Sequence, residues 1–165
     1  MEKQRILILD KERINWKLQR MAYEIWEHNS HESSVTLIGI EGSGATMAKN
    51  LAERLKAISP LDVDVITMKM NKRAPSGEIK MDKIINGNSV ILVDDVANSG
   101  RTLLYALRPL LSAELKKVMM VVLVERKHKA FPISPDIVGH SVATTLQERI
   151  VVETNGSEIE AAYLE

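Results

Sequence analysis

At 165 residues, with 22 Lys plus Arg balanced by 22 Asp plus Glu and 45% hydrophobic residues, the chain fits one domain, 1–165, with its own core and is too short for two ordinary ones. Zero net charge supplies no global basic field for nucleic acid, so any such partner would need a local patch. The absence of cysteine excludes disulfides and thiolate metal sites and agrees with a reducing cytoplasm, and His28, His31, His128 and His140 lack metal-ligand spacing, which argues against zinc.

The opening MEKQRILILD is a short apolar run ending in Asp10 rather than a signal-peptide core, and nowhere do about 18 apolar residues run on, so a soluble cytoplasmic protein with no membrane partner is expected. From Lys11 to Asn29, Ile14, Leu18, Met21, Ala22, Ile25 and Trp26 recur at helical spacing. VTLIGI at 35–40 predicts a short strand that meets the glycine-rich EGSGA, after which Met47, Leu51 and Leu55 mark a second helix. LDVDVITMKM at 61–70 is β-branched and partly alternating, a strand; 72–88, with Pro75, Gly77 and Gly87 among charges, predicts an exposed, mobile loop. A strand over 90–93, a helix over 102–111 and the all-apolar VMMVVLV at 118–124 follow, and the tail from Lys127 predicts a small irregular appendage with short strands. Apolar strands separated by helices indicate an α/β fold with a central parallel, twisted sheet flanked by helices.

Two segments have the strand, small-residue loop, helix form: VTLIGIEGSGATM and VILVDDVANSGRTLL. Ligands of such sheets bind at the carboxyl ends of the strands, where the strand order switches, so both loops should face one crevice. In the second loop Ala97, Asn98, Ser99 and Gly100 lead into a helix starting near Arg101 or Thr102, and free N–H groups at a helix start with a glycine beside them suit a phosphate. Asp94 and Asp95 either cap that helix or face the ligand, accepting from vicinal sugar hydroxyls or holding hydrated Mg²⁺. A ribose carrying a phosphate satisfies both halves.

VILVDDVANSGRTL also resembles the phosphoribosyl-pyrophosphate (PRPP) signature of type I phosphoribosyltransferases, and no G-x-x-x-x-G-K-[ST] of a P-loop NTPase occurs. RILILDKERINWKLQRMAYEIWEHN, GIEGSGATMAKNLAERL and LVERKHKAFPISPDIVGHSVATTLQERIVV are similar to the PyrR family, whose members combine uracil phosphoribosyltransferase activity with mRNA-binding attenuation. The resemblance implies a phosphoribosyltransferase fold with a small hood from the termini, Mg²⁺ as cofactor, conversion of uracil to UMP with loss of pyrophosphate, and a homodimer or larger homo-oligomer. By the same resemblance Asp94 and Asp95 hold the ribose hydroxyls and the metal's water shell, and Ala97, Asn98, Ser99, Gly100, Arg101 and Thr102 cradle the 5′-phosphate. Glu41, Gly42 and Ser43 bind pyrophosphate, at a place where this fold often has a non-proline cis peptide. Here the chain departs from its relatives, which carry Thr-Arg-Gly where it has Gly42-Ser43-Gly44. Lys69, Lys72 and Arg73 either substitute for the missing arginine by closing over the anion or form a solvated loop. Hypoxanthine-type enzymes have an acid at the position of Asn98, which disfavours a purine. The base site falls to Arg126, Ile137 and Val138: Ile137 stands where relatives have a stacking aromatic, the Val138 backbone reads the base edge, and Arg126 either donates to a pyrimidine carbonyl or pairs at the surface. Two other readings stay open: an mRNA-binding attenuator responding to nucleotides, which the sparse cations Lys17, Arg20, His28, His128, Lys129 and His140 disfavour, and a relative that has lost catalysis.

Overall fold

The computed structural model describes residues 4–85, 89–145 and 147–165. A short strand, β1 (Ile6–Leu9), leads into helix α1 (Lys11–His28), whose N-cap Asp10 accepts from the Arg13 N–H at 2.8 Å. Ile14, Leu18, Met21, Ala22 and Ile25 form its buried stripe, as the 3.6-residue period requires. At its far end Asn29 donates to the Ile25 carbonyl (2.7 Å) and accepts from the Ser89 hydroxyl (2.6 Å), so both of these buried polar groups are paired.

Strand β2 (Ser34–Ile40) runs into α2 (Ser43–Ile58), and β3 (Asp62–Lys69) follows. A two-residue strand, β4 (Lys80–Met81), pairs antiparallel with β3 and interrupts the segment expected to be all loop; Gly87 of that segment lies outside the described residues. Strand β5 spans Ser89–Ala97, so Asp94 and Asp95 lie inside a strand rather than after one. Its pairing with β6 (Lys117–Arg126) continues past the acids, Asp94 opposite Val122 and Val96 opposite Val124, which overrides the low strand propensity of aspartate. The helix expected over 102–111 is shorter: α3 covers Arg101–Ala106, and a 3-10 turn over Arg108–Leu110 with Pro109 in its first turn completes the segment.

The tail is more regular than an appendage. Strand β7 (Ile137–Val142) is the last strand of the main sheet, order β4-β3-β2-β5-β6-β7, in which every pairing except β3 with β4 is parallel. Strands β8 (Ile150–Asn155) and β9 (Glu158–Leu164) join β1 in an antiparallel sheet, order β1-β9-β8, which is the hood made from both termini. The buried runs of β2, β5 and β6 are continuous because the sheet is covered on both faces. One cluster joins α1, α2 and hood residues Ile150, Val152 and Ile159; the other lies beneath α3. Since β2 is flanked by β3 on one side and β5 on the other, the order switches between β2 and β5, and the loops at their carboxyl ends open onto the crevice there.

Candidate active site

A cleft of about 430 Å³ lies at that switch point, walled by Lys72, Asp94 and Asp95, by the 96–103 segment and, from the hood, by Arg149, Ile150, Val151 and Val152. Asp94 is buried and Asp95 is half-buried, its side chain 15% exposed. The Asp94 carboxylate accepts from the Asp95 N–H (2.9 Å), and a Cβ on Gly44 would stand 2.8 Å from its Oδ1, so the start of α2 abuts it directly. Burial, and then the neighbouring charge of Asp95, hold the Asp94 carboxyl well above the usual carboxylate range; the ammonium of Lys72 pulls the other way. Lys72 Nζ lies 3.2 and 3.3 Å from the two Asp94 oxygens and 4.0 Å from Asp95 Oδ1. A cation thus already stands against the acidic pair.

Ala97, Asn98, Ser99, Gly100, Arg101 and Thr102 all line the cleft. Gly100 has φ 83°, a left-handed conformation that favours glycine, and a side chain there would meet Ile133 Cβ at 3.1 Å. The loop is braced from below by the Phe131 N–H, which donates to the Ser99 carbonyl (3.0 Å), and within itself by the Arg101 N–H to Ser99 Oγ (3.2 Å). Asn98 is committed elsewhere: its Nδ2 donates to the Ile150 carbonyl (3.2 Å) and its Oδ1 accepts from the Ile150 N–H (3.1 Å).

Other expected site residues are placed differently. Glu41, Gly42 and Ser43 sit beside the cleft but do not line it; the Glu41 N–H is held by the Met68 carbonyl at 2.8 Å. Among the described residues every peptide bond is trans, and the turn is made instead by Gly42 at φ 94°, ψ −135°. Lys69 and Arg73 are exposed and away from the lining, and Lys69 is paired in register with Lys80, so Lys72 alone of the three cations reaches the acids. Ile137 is buried in the core cluster of α1 and α2 and does not present a face to the cleft, because strand alternation turns it away. The Val138 carbonyl accepts from Arg20 (3.1 Å), and its side chain packs on the opposite cluster. One terminal nitrogen of Arg126 donates to the Glu148 and Thr145 carbonyls, while its buried Nε has no hydrogen-bond partner among the described residues. The hood residues 149–152 were the part of the site that sequence reasoning missed; nothing local in ERIVV marks it as a cleft wall, since partners distant in sequence, β9 and Asn98, bring it there. The described residues contain no cluster of three or more potential metal-ligating side chains, and no helix among them is long and apolar enough to cross a membrane.

Paired carboxylates, a glycine-hinged loop and a lysine converging at a switch point can hold a vicinal diol, a phosphate and a leaving anion together. Comparison with known proteins agrees with that chemistry. Residues 7–154 match the model of the phosphoribosyl transferase domain. The chain is 35% identical to the bifunctional protein PyrR of Halalkalibacterium halodurans, covering 89% of each chain, and 34% identical to the pyrimidine operon regulatory protein of Lactococcus lactis, covering 88% of each. Among solved structures, a hypoxanthine-guanine phosphoribosyltransferase from Bacillus anthracis superposes with TM-score 0.72 over 97% of this chain and 96% of that one, at 18% identity, and the hypoxanthine phosphoribosyltransferase of Trypanosoma cruzi with TM-score 0.72 over 94% of each, at 14% identity. At such identities those two speak for the fold alone, whereas the family match and the PyrR relatives together place the chain: it belongs to the phosphoribosyl transferase family, as a PyrR-like type I member.

Proposed function

We propose that the protein transfers the phosphoribosyl group of PRPP to uracil, releasing pyrophosphate and forming UMP. The observation that supports this most is the convergence of Asp94, Asp95, Lys72 and the 97–102 loop on one cleft. The bond from ribose C1 to the pyrophosphate oxygen breaks with its electron pair leaving on pyrophosphate; the bond from C1 to uracil N1 forms, and the N1 proton is released. The transition state carries positive charge on the ribose ring and negative charge on the departing group, so no covalent nucleophile is needed, only charge placed where charge develops. Asp94 and Asp95 orient the ribose hydroxyls, the loop holds the 5′-phosphate on its N–H groups, Lys72 moves from Asp94 to the leaving anion, and the hood wall excludes water.

The residues fit Mg²⁺, because Lys72 already shows that the acidic pair accepts a cation and because two carboxylates leave most positions of an octahedral ion to water and substrate oxygens. Bound there through water, Mg²⁺ would neutralise part of the pyrophosphate charge. With the family reading go a cytoplasmic location and self-association of this chain. A steady-state assay with PRPP, Mg²⁺ and each of uracil, hypoxanthine, guanine, xanthine, adenine and orotate tests the proposal. Turnover with uracil is expected; turnover only with a purine overturns the base assignment, and silence with every base overturns the enzyme reading.

A second reading, regulation through RNA, is favoured by a separate observation. Arg13, Trp16, Lys17, Arg20 and His140 line a cleft of about 450 Å³ beside α1, with Trp16 65% exposed. Burial and the neighbouring Arg20 and Arg13 lower the Lys17 pKa, and burial with Lys17 and Arg13 lowers that of His140, as expected where cations crowd. A basic, aromatic face of this kind suits unstacked bases and phosphates. This reading predicts binding of the leader RNA of a pyrimidine operon that weakens steeply with salt and is lost in Trp16→Ala, while uracil turnover persists.

A further inference from the structure

We propose that Asn98 is a positioning residue: its amide latches the hood to the phosphate loop, so that the loop and the hood wall of the cleft close as one unit. The inference rests on the phosphoribosyl-transfer reading for its consequence on turnover, though not for its structural content.

The Asn98 side chain makes a two-bond ring with one backbone residue, donating from Nδ2 to the Ile150 carbonyl at 3.2 Å and accepting at Oδ1 from the Ile150 N–H at 3.1 Å. A side chain thereby imitates a strand neighbour for the first residue of β8, on the edge of the hood sheet that β9 does not cover. The two partners belong to opposite walls of the same cleft: Asn98 to the loop at the end of β5, Ile150 to the 149–152 stretch of the hood. Ile150 is in turn clasped from behind, because the neighbouring Arg149 exchanges both backbone hydrogen bonds with Glu165 at the end of the chain (2.8 and 2.9 Å). A shift of the loop on binding a phosphate is therefore transmitted to β8 through Asn98 and onward to β9 through that clasp.

The amide suits this latch, since it offers a donor and an acceptor side by side without needing a proton from solution. A carboxylate at position 98 would keep the acceptor for the Ile150 N–H and set its second oxygen against the Ile150 carbonyl, two acceptors with no proton between them. Because its nitrogen and its oxygen are both turned to Ile150, the Asn98 side chain acts on the base through the position of the hood wall.

The test uses the full chain and two substitutions, Asn98→Asp and Asn98→Leu, of which the first keeps side-chain volume and the second keeps bulk without hydrogen bonding. Amide hydrogen exchange is followed residue by residue in the free protein and with PRPP and Mg²⁺. Exchange at residues 150–152 should be about tenfold faster in Asn98→Leu, the order expected for two neutral hydrogen bonds, and faster by a smaller factor in Asn98→Asp, which keeps one acceptor, with β5 and β6 unchanged in both. PRPP should slow exchange at 150–152 in the wild type and fail to do so in the variants. In steady state, kcat/KM for uracil should fall about tenfold while KM for PRPP moves less than about twofold. Unaltered exchange at 150–152 in the ligand-free variants overturns the latch, whether or not the wild type turns over any base; uniform acceleration throughout the sheet overturns it equally, as general destabilisation. Should Asn98→Leu fail to fold, Asn98→Asp carries the same readouts. A wild type that turns over no base overturns the function instead, and the exchange data still decide the latch.

Discussion

The substitution Asp94→Asn should make the protein more stable and nearly inactive. Asp94 is buried to 1% exposure, and its counter-charge, Lys72, is 43% exposed on a loop. Taking a carboxylate out of water costs several kcal/mol, and a half-solvated ammonium at 3.2 Å returns only part of it. Asparagine removes the charge, keeps the shape, and keeps an oxygen for the Asp95 N–H, while the freed Lys72 returns to water at little cost. A net gain of about 1–2 kcal/mol follows, which in a chain of this size raises Tm by about 2–8 °C. The pH dependence fixes the cause. Burial and Asp95 hold the folded-state pKa of Asp94 above its unfolded value, so the stability associated with its protonated form is present at low pH and is lost as pH rises through the folded pKa. The advantage of the Asp94→Asn variant over wild type should therefore be largest above that folded pKa and vanish in acid. Thermal melts of both proteins across about pH 4 to 8 in chelator, to keep divalent ions from the acids, measure it. Turnover should fall on the order of a hundredfold or more. A lower Tm for the variant, or a gain independent of pH, would refute the reasoning, and full activity would remove Asp94 from the site.

Lys72→Met leaves Asp94 buried without its cation, and melts should show a loss of about 1–3 kcal/mol together with a KM for PRPP raised severalfold. In Gly100→Ala, a Cβ is forced into the left-handed region and to within 3.1 Å of Ile133, so stability should drop by about 1–2 kcal/mol and PRPP binding, measured by calorimetry, should weaken as the loop moves. Ser89→Ala strips the buried Asn29 Oδ1 of its donor at 2.6 Å, and denaturant unfolding should register a loss of about 1–3 kcal/mol with activity unchanged.

The sheet was legible because its central strands are buried on both faces, which writes VTLIGI, VILV and VMMVVLV as uninterrupted apolar runs whatever their neighbours are. The glycine-rich loops were legible for a local reason as well: the backbone needs at Gly42 and Gly100 are met within a few residues. What was misread depended on distant partners. Two aspartates in a row signal the end of a strand until β6 is seen to pair beyond them. Arg126 is open between a base carbonyl and a surface partner on paper, and the carbonyls of Thr145 and Glu148 that one of its nitrogens reaches lie about twenty positions on. Three cations in the 69–73 stretch are equivalent on paper, and only the fold selects Lys72. The hood, expected through the family resemblance, has no local signal of its own, since β1 and β9 pair Ile6 with Leu164 across nearly the whole chain.

Placing the acids within β5 has a consequence for the chemistry. Ladder pairing fixes Asp94 opposite Val122 and Val96 opposite Val124, and β2 pairs with the same strand from the other side up to Val93, so the acids directly continue the doubly paired part of β5. The groups that must rearrange are carried elsewhere: Lys72 on a loop after β3, the latch residue Ile150 at the start of a hood strand. Carboxylates held in a ladder, with Lys72 and the hood wall carried on other elements, suit an exchange at ribose C1, because the hydroxyls must be held in one place while the site opens to admit a base and closes to exclude water. The cost of burying Asp94 is borne by the apolar strands around it, Leu92, Val93, Val121 and Val122 among them, all fully buried. Weakening that packing should therefore impair turnover before it unfolds the protein, through loss of the fixed carboxylate rather than loss of the cleft.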